Sequence, residues 1–142
     1  MKRLIACSLA CLIAVSANAN NWFYIDTTKD GVDHYMDVNT LRVVDQNAQI
    51  VTAFVKMRGI EKTKLRFNNM IVSSTSFKFA FDCRNETGRT LSSIFYDVNG
   101  TVVNSDDNHV GQFTTIHPGT SQYLNMYSAC AMTGFKSIEG IL

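Results

Sequence analysis

Apolar residues alternate with polar ones along most of the chain, and the period lengthens only near the C-terminus. Trp22-Phe23-Tyr24-Ile25 is an aromatic and β-branched run that predicts a strand. Thr28-Lys29-Asp30-Gly31 carries turn chemistry, and Val32 to Met36 returns as a second strand, so the two predict a hairpin. Asp37 to Leu41 reads as a short turn or single helical turn, followed by a strand at Arg42-Val43-Val44 that Asp45-Gln46-Asn47 breaks. Gln49 to Arg58 is the longest strand candidate. Its odd positions Val51, Ala53, Val55 and Met57 are all apolar and predict a core face. Its even positions Ile50, Thr52, Phe54 and Lys56 are mixed, a half-apolar face available for a second contact.

Residues 59–69 are polar and basic and read as a loop. Ser76 to Cys83 then alternates, with Phe77, Phe79, Phe81 and Cys83 on one face and Ser76, Lys78 and Asp82 on the other. Arg84 to Gly88 is a turn and Arg89 to Val98 a strand. Asn99-Gly100 is a hairpin signal leading into Thr101-Val102-Val103. Asn104 to Gly111 is a polar loop, Gln112 to Ile116 a last short strand, and His117-Pro118-Gly119 stops the sheet.

Beyond that point the period is helical. Thr120 or Ser121 caps a segment whose residues Tyr123, Leu124, Tyr127, Cys130 and Ala131 recur three and four apart, ending near Gly134. Cys130 then faces inward from a helix and Cys83 inward from a strand. A bond between them pins the helix across one face of an antiparallel sheet, and the class is α+β. Residues 135–142 carry no pattern and read as a loosely ordered tail.

The N-terminus changes the accounting. Met1-Lys2-Arg3, the apolar run from Leu4 to Val15 and Ser16-Ala17-Asn18-Ala19 read as a cleavable signal peptide over residues 1–19. A dozen apolar residues fall short of the roughly 20 that a membrane-spanning helix needs, so no transmembrane anchor is expected. Cys7 and Cys11 sit in poor lipobox contexts and leave with the leader. Of 13 basic side chains, loss of Lys2 and Arg3 leaves 11 against 12 acidic ones, a formal charge of −1. Such near-neutrality argues against a nucleic-acid binder. The 123 residues that remain suit one domain. In an oxidising compartment the two remaining cysteines, Cys83 and Cys130, read as a disulfide.

Candidate chemistry is sparse. His34, His109 and His117 lie in different elements and lack metal-ligand spacing. The cluster at 105–109, Ser-Asp-Asp-Asn-His, lacks the pattern of a calcium loop, and no nucleophile elbow or phosphate loop occurs. Neither an enzymatic role nor a cofactor is expected. Lys56, Arg58, Lys62, Lys64 and Arg66 fall within eleven residues, opposed only by Glu61. This basic run is the candidate partner-binding segment, suited to an acidic protein or polysaccharide.

Several segments in order carry a family resemblance. They are Trp22-x-Tyr24-Ile25, Tyr35-Met36-Asp37-x-x-Thr40-Leu41, Phe81-Asp82-Cys83 with Arg89, Tyr96-Asp97-x-x-Gly100-x-Val102-Val103, and Pro118-Gly119-Thr120 before Cys130. From about Trp22 to Cys130 the chain resembles the bacterial surface-adhesin protein E family, making residues 20–134 one surface-adhesin E-like domain. The resemblance implies a six-stranded antiparallel sheet backed by a C-terminal helix, with Cys83 and Cys130 bridged. It also implies a non-enzymatic surface protein that binds host extracellular-matrix or plasma proteins and can form a homodimer through its sheet. The chain departs from the family's characterised adhesin in lacking a convincing lipobox. The competing expectation is therefore a soluble periplasmic module that binds or inhibits an envelope component. In either case the protein is exported, to the periplasm or to the cell surface.

Overall fold

The computed structural model describes residues 21–109 and 111–141, so the leader lies outside the described residues. The chain forms an antiparallel meander. Strands β1 (Trp22–Thr27), β2 (Asp33–Asp45) and β3 (Ile50–Arg58) pair in sequence. Between β3 and its next neighbour the chain makes an excursion: a 3-10 turn at Ile60–Thr63, then the two-residue strands β4 (Arg66–Phe67) and β5 (Met70–Ile71). Strand β6 (Ser74–Asp82) pairs back on β3, followed by β7 (Thr87–Tyr96) and β8 (Val102–Asp106). The short β9 (Thr114–Thr115) takes the other end of the β7 edge, making a seven-stranded sheet among the described residues. Helix α1 (Ser121–Met132) follows. The fold is thus the expected α+β arrangement, one antiparallel sheet with a C-terminal helix packed on it.

Register decides which side chains meet. Val51, Ala53 and Val55 of β3 lie opposite Phe81, Phe79 and Phe77 of β6, and all six point to the side that α1 covers. Met126, Ala129 and Cys130 descend onto that side and form the main core with Met36, Phe79 and Phe81. Burying a side chain such as Met126 or Phe81 contributes about 1.5–3 kcal/mol. Cys83 and Cys130 are bonded, with Cα atoms 5.6 Å apart, so the helix is fixed covalently to the end of β6. The Thr120 hydroxyl accepts from the Tyr123 amide at 3.2 Å and caps the helix; Gly134, at φ 84°, ends it.

The far end of the same face is closed by the excursion. Val32, Ile60 and Val72 form a second buried cluster with Met57, Phe67, Phe95 and Val103 against it. Residues 59–69 are therefore not an unstructured loop. Asn68 and Asn69 both adopt positive φ and make the two-residue turn between β4 and β5. Phe67 meets Phe95 at 4.7 Å between ring centroids, and this contact folds the hairpin down onto the sheet.

Other local expectations need correction. Asp37 to Leu41 belongs to β2, where the pairing with β3 slips between Asp37 and Arg42. Its turn-like composition serves a bulge: Asp37 Oδ1 accepts from the Asn39 amide at 3.0 Å, and the Thr40 hydroxyl accepts the Phe54 N–H at 3.1 Å in place of a ladder carbonyl. Asn99-Gly100 sits in a hairpin, but not as a two-residue turn. Gly100 alone has positive φ, the Gly100 amide donates to the Asp97 carbonyl, and Asp97 Oδ1 accepts from the Asn99 and Thr101 amides. On α1 the buried face carries Asn125, Met126 and Ala129, while Leu124 points to solvent. After the helix, Phe135 packs against the core, Lys136 pairs with Glu86 at 2.7 Å, and Ile138–Ile141 forms a 3-10 turn.

Candidate functional site

The side of the sheet facing away from α1 has no element over it among the described residues. Its side chains follow from the same registers: Trp22 and Tyr24 from β1, Tyr35 and Asp37 from β2, Phe54, Lys56 and Arg58 from β3, Ser76 and Lys78 from β6, and Ile94 and Tyr96 from β7. Aromatic rings and cations interleave across it. The Lys56 ammonium lies 6.0 Å from the Trp22 ring centre, Arg58 lies 5.5 Å from that of Tyr35, and Lys78 lies 5.8 Å from that of Phe54. Tyr24 and Tyr35 meet edge to face at 5.7 Å, with Tyr24 still 51 % exposed. Each ring offers its negative face to a cation, which holds the long side chains flat along the sheet.

These cations carry no carboxylate partner. Among the described residues the ion pairs are His109–Asp106 and Lys136–Glu86, both away from this face. The acids on the face are engaged locally: Asp33 Oδ1 accepts from the Thr27 hydroxyl at 2.6 Å, and Asp37 serves the bulge. Partial burial, and then the neighbouring Arg58 charge, pull the Lys56 pKa below its ordinary value.

The basic run singled out in the sequence divides between two surfaces. Lys56 and Arg58 stand on the open face and line a shallow cleft with Gly59, Ser74, Asp97 and Gly100. Lys62, Lys64 and Arg66 belong to the excursion. Lys62 donates to the Gly31 carbonyl at 2.9 Å, Arg66 to the Asn69 carbonyl at 3.1 Å, and Lys64 ends the 3-10 turn with positive φ. Lys78, Trp22, Tyr24 and Tyr35 are not among the binding residues expected from the sequence. The half-apolar even positions of β3 were the visible trace of this surface, and only the register brings the other strands' residues beside them.

The histidines separate too. His34 is 6 % exposed and lies under α1, with its Nδ1 3.4 Å from the Asn125 side-chain amide. His109 Nε2 lies 3.0 Å from the Ser93 hydroxyl and 3.6 Å from Asp106. Serine and carboxylate therefore approach the same ring nitrogen, whereas a relay needs them on opposite nitrogens, and Ser93 is only 3 % exposed. This trio is a structural contact at the β7–β8 edge. His117 is exposed beside the helix entry.

The sequence model of the surface-adhesin protein E family matches residues 22–131, from the first strand to the last turn of the helix. The chain belongs to the surface-adhesin protein E family. No curated protein sequence matches it. Solved structures of Haemophilus influenzae protein E share the fold. One crystal form is 20 % identical, with a TM-score of 0.57 over 78 % of this chain and 89 % of that one. A second is 19 % identical, with a TM-score of 0.54 over 80 % and 87 %. At that identity the likeness is one of fold. The surface-adhesin E domain here is thus a disulfide-fixed sheet with one covered and one open face.

Proposed function

We propose that this chain is an exported, non-enzymatic interaction protein that binds a host extracellular-matrix or plasma protein through the open face of its sheet. One observation carries the reading: three cations without an ion-pair partner and four aromatic side chains share a face that no element covers among the described residues. Contact surfaces draw on such side chains, because rigid rings lose little entropy on binding. Membership of an adhesin family supports the same reading. Residues 1–19 act as a cleaved leader, and residues 20–134 form the binding domain. Lys56 and Arg58 contact the partner directly, and Lys62, Lys64 and Arg66 extend the basic surface around the end of the sheet.

The test measures binding of purified matrix and plasma proteins to the mature chain by surface plasmon resonance. Replacing Tyr24 and Tyr35 together by Ser should weaken binding at least tenfold with the disulfide intact; replacing Lys62, Lys64 and Arg66 by Ser should weaken it less and flatten its salt dependence. Unchanged affinity in the Tyr24→Ser/Tyr35→Ser variant sinks the assignment of this face.

The second reading, a soluble periplasmic module acting on an envelope component, is favoured by the poor lipobox contexts of Cys7 and Cys11. Whole-cell proteolysis separates the two: an adhesin is cleaved on intact cells, a periplasmic protein is not.

A further inference from the structure

The open face has a second property that a generic contact surface lacks, namely a regular spacing of positive charge. Lys56 and Arg58 are two residues apart on β3, about 7 Å along a strand. Lys78 lies opposite Phe54, one step diagonal to Lys56, at about 7–8 Å. A single phosphate or carboxylate is gripped by cations that converge within hydrogen-bonding distance. Charges laid out at such intervals fit a chain of repeated anions instead. Phe54 lies among them on β3, and the rings of Tyr35 and Trp22 lie beside them on β2 and β1, half-buried and each near one of the cations. Aromatic faces of this kind receive the C–H faces of sugar rings, whose edges project their charged substituents sideways.

We infer that the open face binds an acidic polysaccharide, with Lys56, Arg58 and Lys78 pairing its anionic groups and Trp22, Tyr35 and Phe54 packing on its sugar rings. The inference rests on the assignment of this face as the binding surface and names the chemistry recognised there. The position of Lys56 fits as well: its burial beside Arg58 disfavours its charge, and successive anionic groups set beside each of the two relieve that cost.

The experiment uses the full mature protein with heparin as probe, at low and at 0.3 M salt. Desulfated heparin, polyglutamate and oligothymidylate serve as comparisons. Heparin should bind, lose more than tenfold on desulfation, and weaken with salt. Lys78→Ser should weaken it more than tenfold and Lys78→Arg should restore it, while Lys29→Ser, which removes an equal charge from the exposed β1–β2 turn, changes it less than twofold. Trp22→Ser should weaken heparin without altering polyglutamate. If Lys78→Ser does not fold, Lys56→Ser makes the same comparison.

The inference is overturned if heparin does not bind, if polyglutamate or oligothymidylate binds as tightly, if Lys78→Ser has no effect, or if sedimentation shows a dimer closed through this face. Loss of matrix-protein binding on Tyr24→Ser/Tyr35→Ser alongside absent heparin binding would leave the surface standing and remove the polysaccharide. Insensitivity of both probes to the face's substitutions would remove both.

Discussion

Gly88 lies where β7 passes beneath Ile116, and a Cβ placed on it would come 2.7 Å from the Ile116 Cδ1 and 3.1 Å from the Phe81 ring. Its φ is not the reason for glycine there; the close approach is. Gly88→Ala should therefore destabilise the protein by about 1–3 kcal/mol, because Ile116 and the fully buried Phe81 must both shift. A lowered urea midpoint with an unchanged slope would confirm this, and an unaltered midpoint would show that the β9 segment yields freely. The same residue shows what is hard to read locally. Arg84 to Gly88 has the composition of a turn, yet Thr87 and Gly88 pair with both β6 and β9, on neighbours that only the closed sheet supplies.

At the scale of elements, the joint between β2 and α1 is the sensitive one. His34 is held neutral because burial lowers its pKa more than the nearby Asp26 and Asp33 carboxylates raise it. Asn125 donates to His34 Nδ1, which needs that nitrogen unprotonated. With the folded pKa below the unfolded value of about 6.5, the unfolded chain takes up the proton first, so stability falls as pH drops from 7.5 to 5.5. His34→Gln should flatten that fall in melting temperature; an equal slope in the variant would place the effect elsewhere.

Elements with strong local signals were legible from the sequence. The alternation of Phe77, Phe79, Phe81 and Cys83 predicted β6 and its core face, and Thr120 marked the helix start. Helix spacing alone ranked Leu124 above Met126 and Asn125, since aromatic residues at 123 and 127 pulled the apparent stripe around the helix axis. The excursion was illegible because its two-residue strands owe their place to Phe67 meeting Phe95, far along the chain. The open face was visible as one strand's mixed alternation and hidden as a surface, because cross-strand neighbours are a product of register.

For the whole molecule the decisive bond is the one between Cys83 and Cys130, 47 residues apart. Closing a loop of that length restricts the unfolded chain by about 4 kcal/mol in the chain-entropy model. Cys83→Ser/Cys130→Ser should lower the melting temperature by more than about 10 °C. Strands β1 to β3 lie outside the bonded loop, so a shift of a few degrees would mean that helix packing alone holds the face closed.

Apart from the excursion and the short β9, which returns to β7, neighbours in the sheet are also neighbours in the chain, and this gives assembly a direction in time. A chain that emerges N-terminus first can zip one hairpin onto the next, each step closing a short loop. Cys83 then waits at the end of β6, while β7, β8 and β9 are added, for a partner that arrives late. The covalent lock comes last, and it records that the rest was already in place.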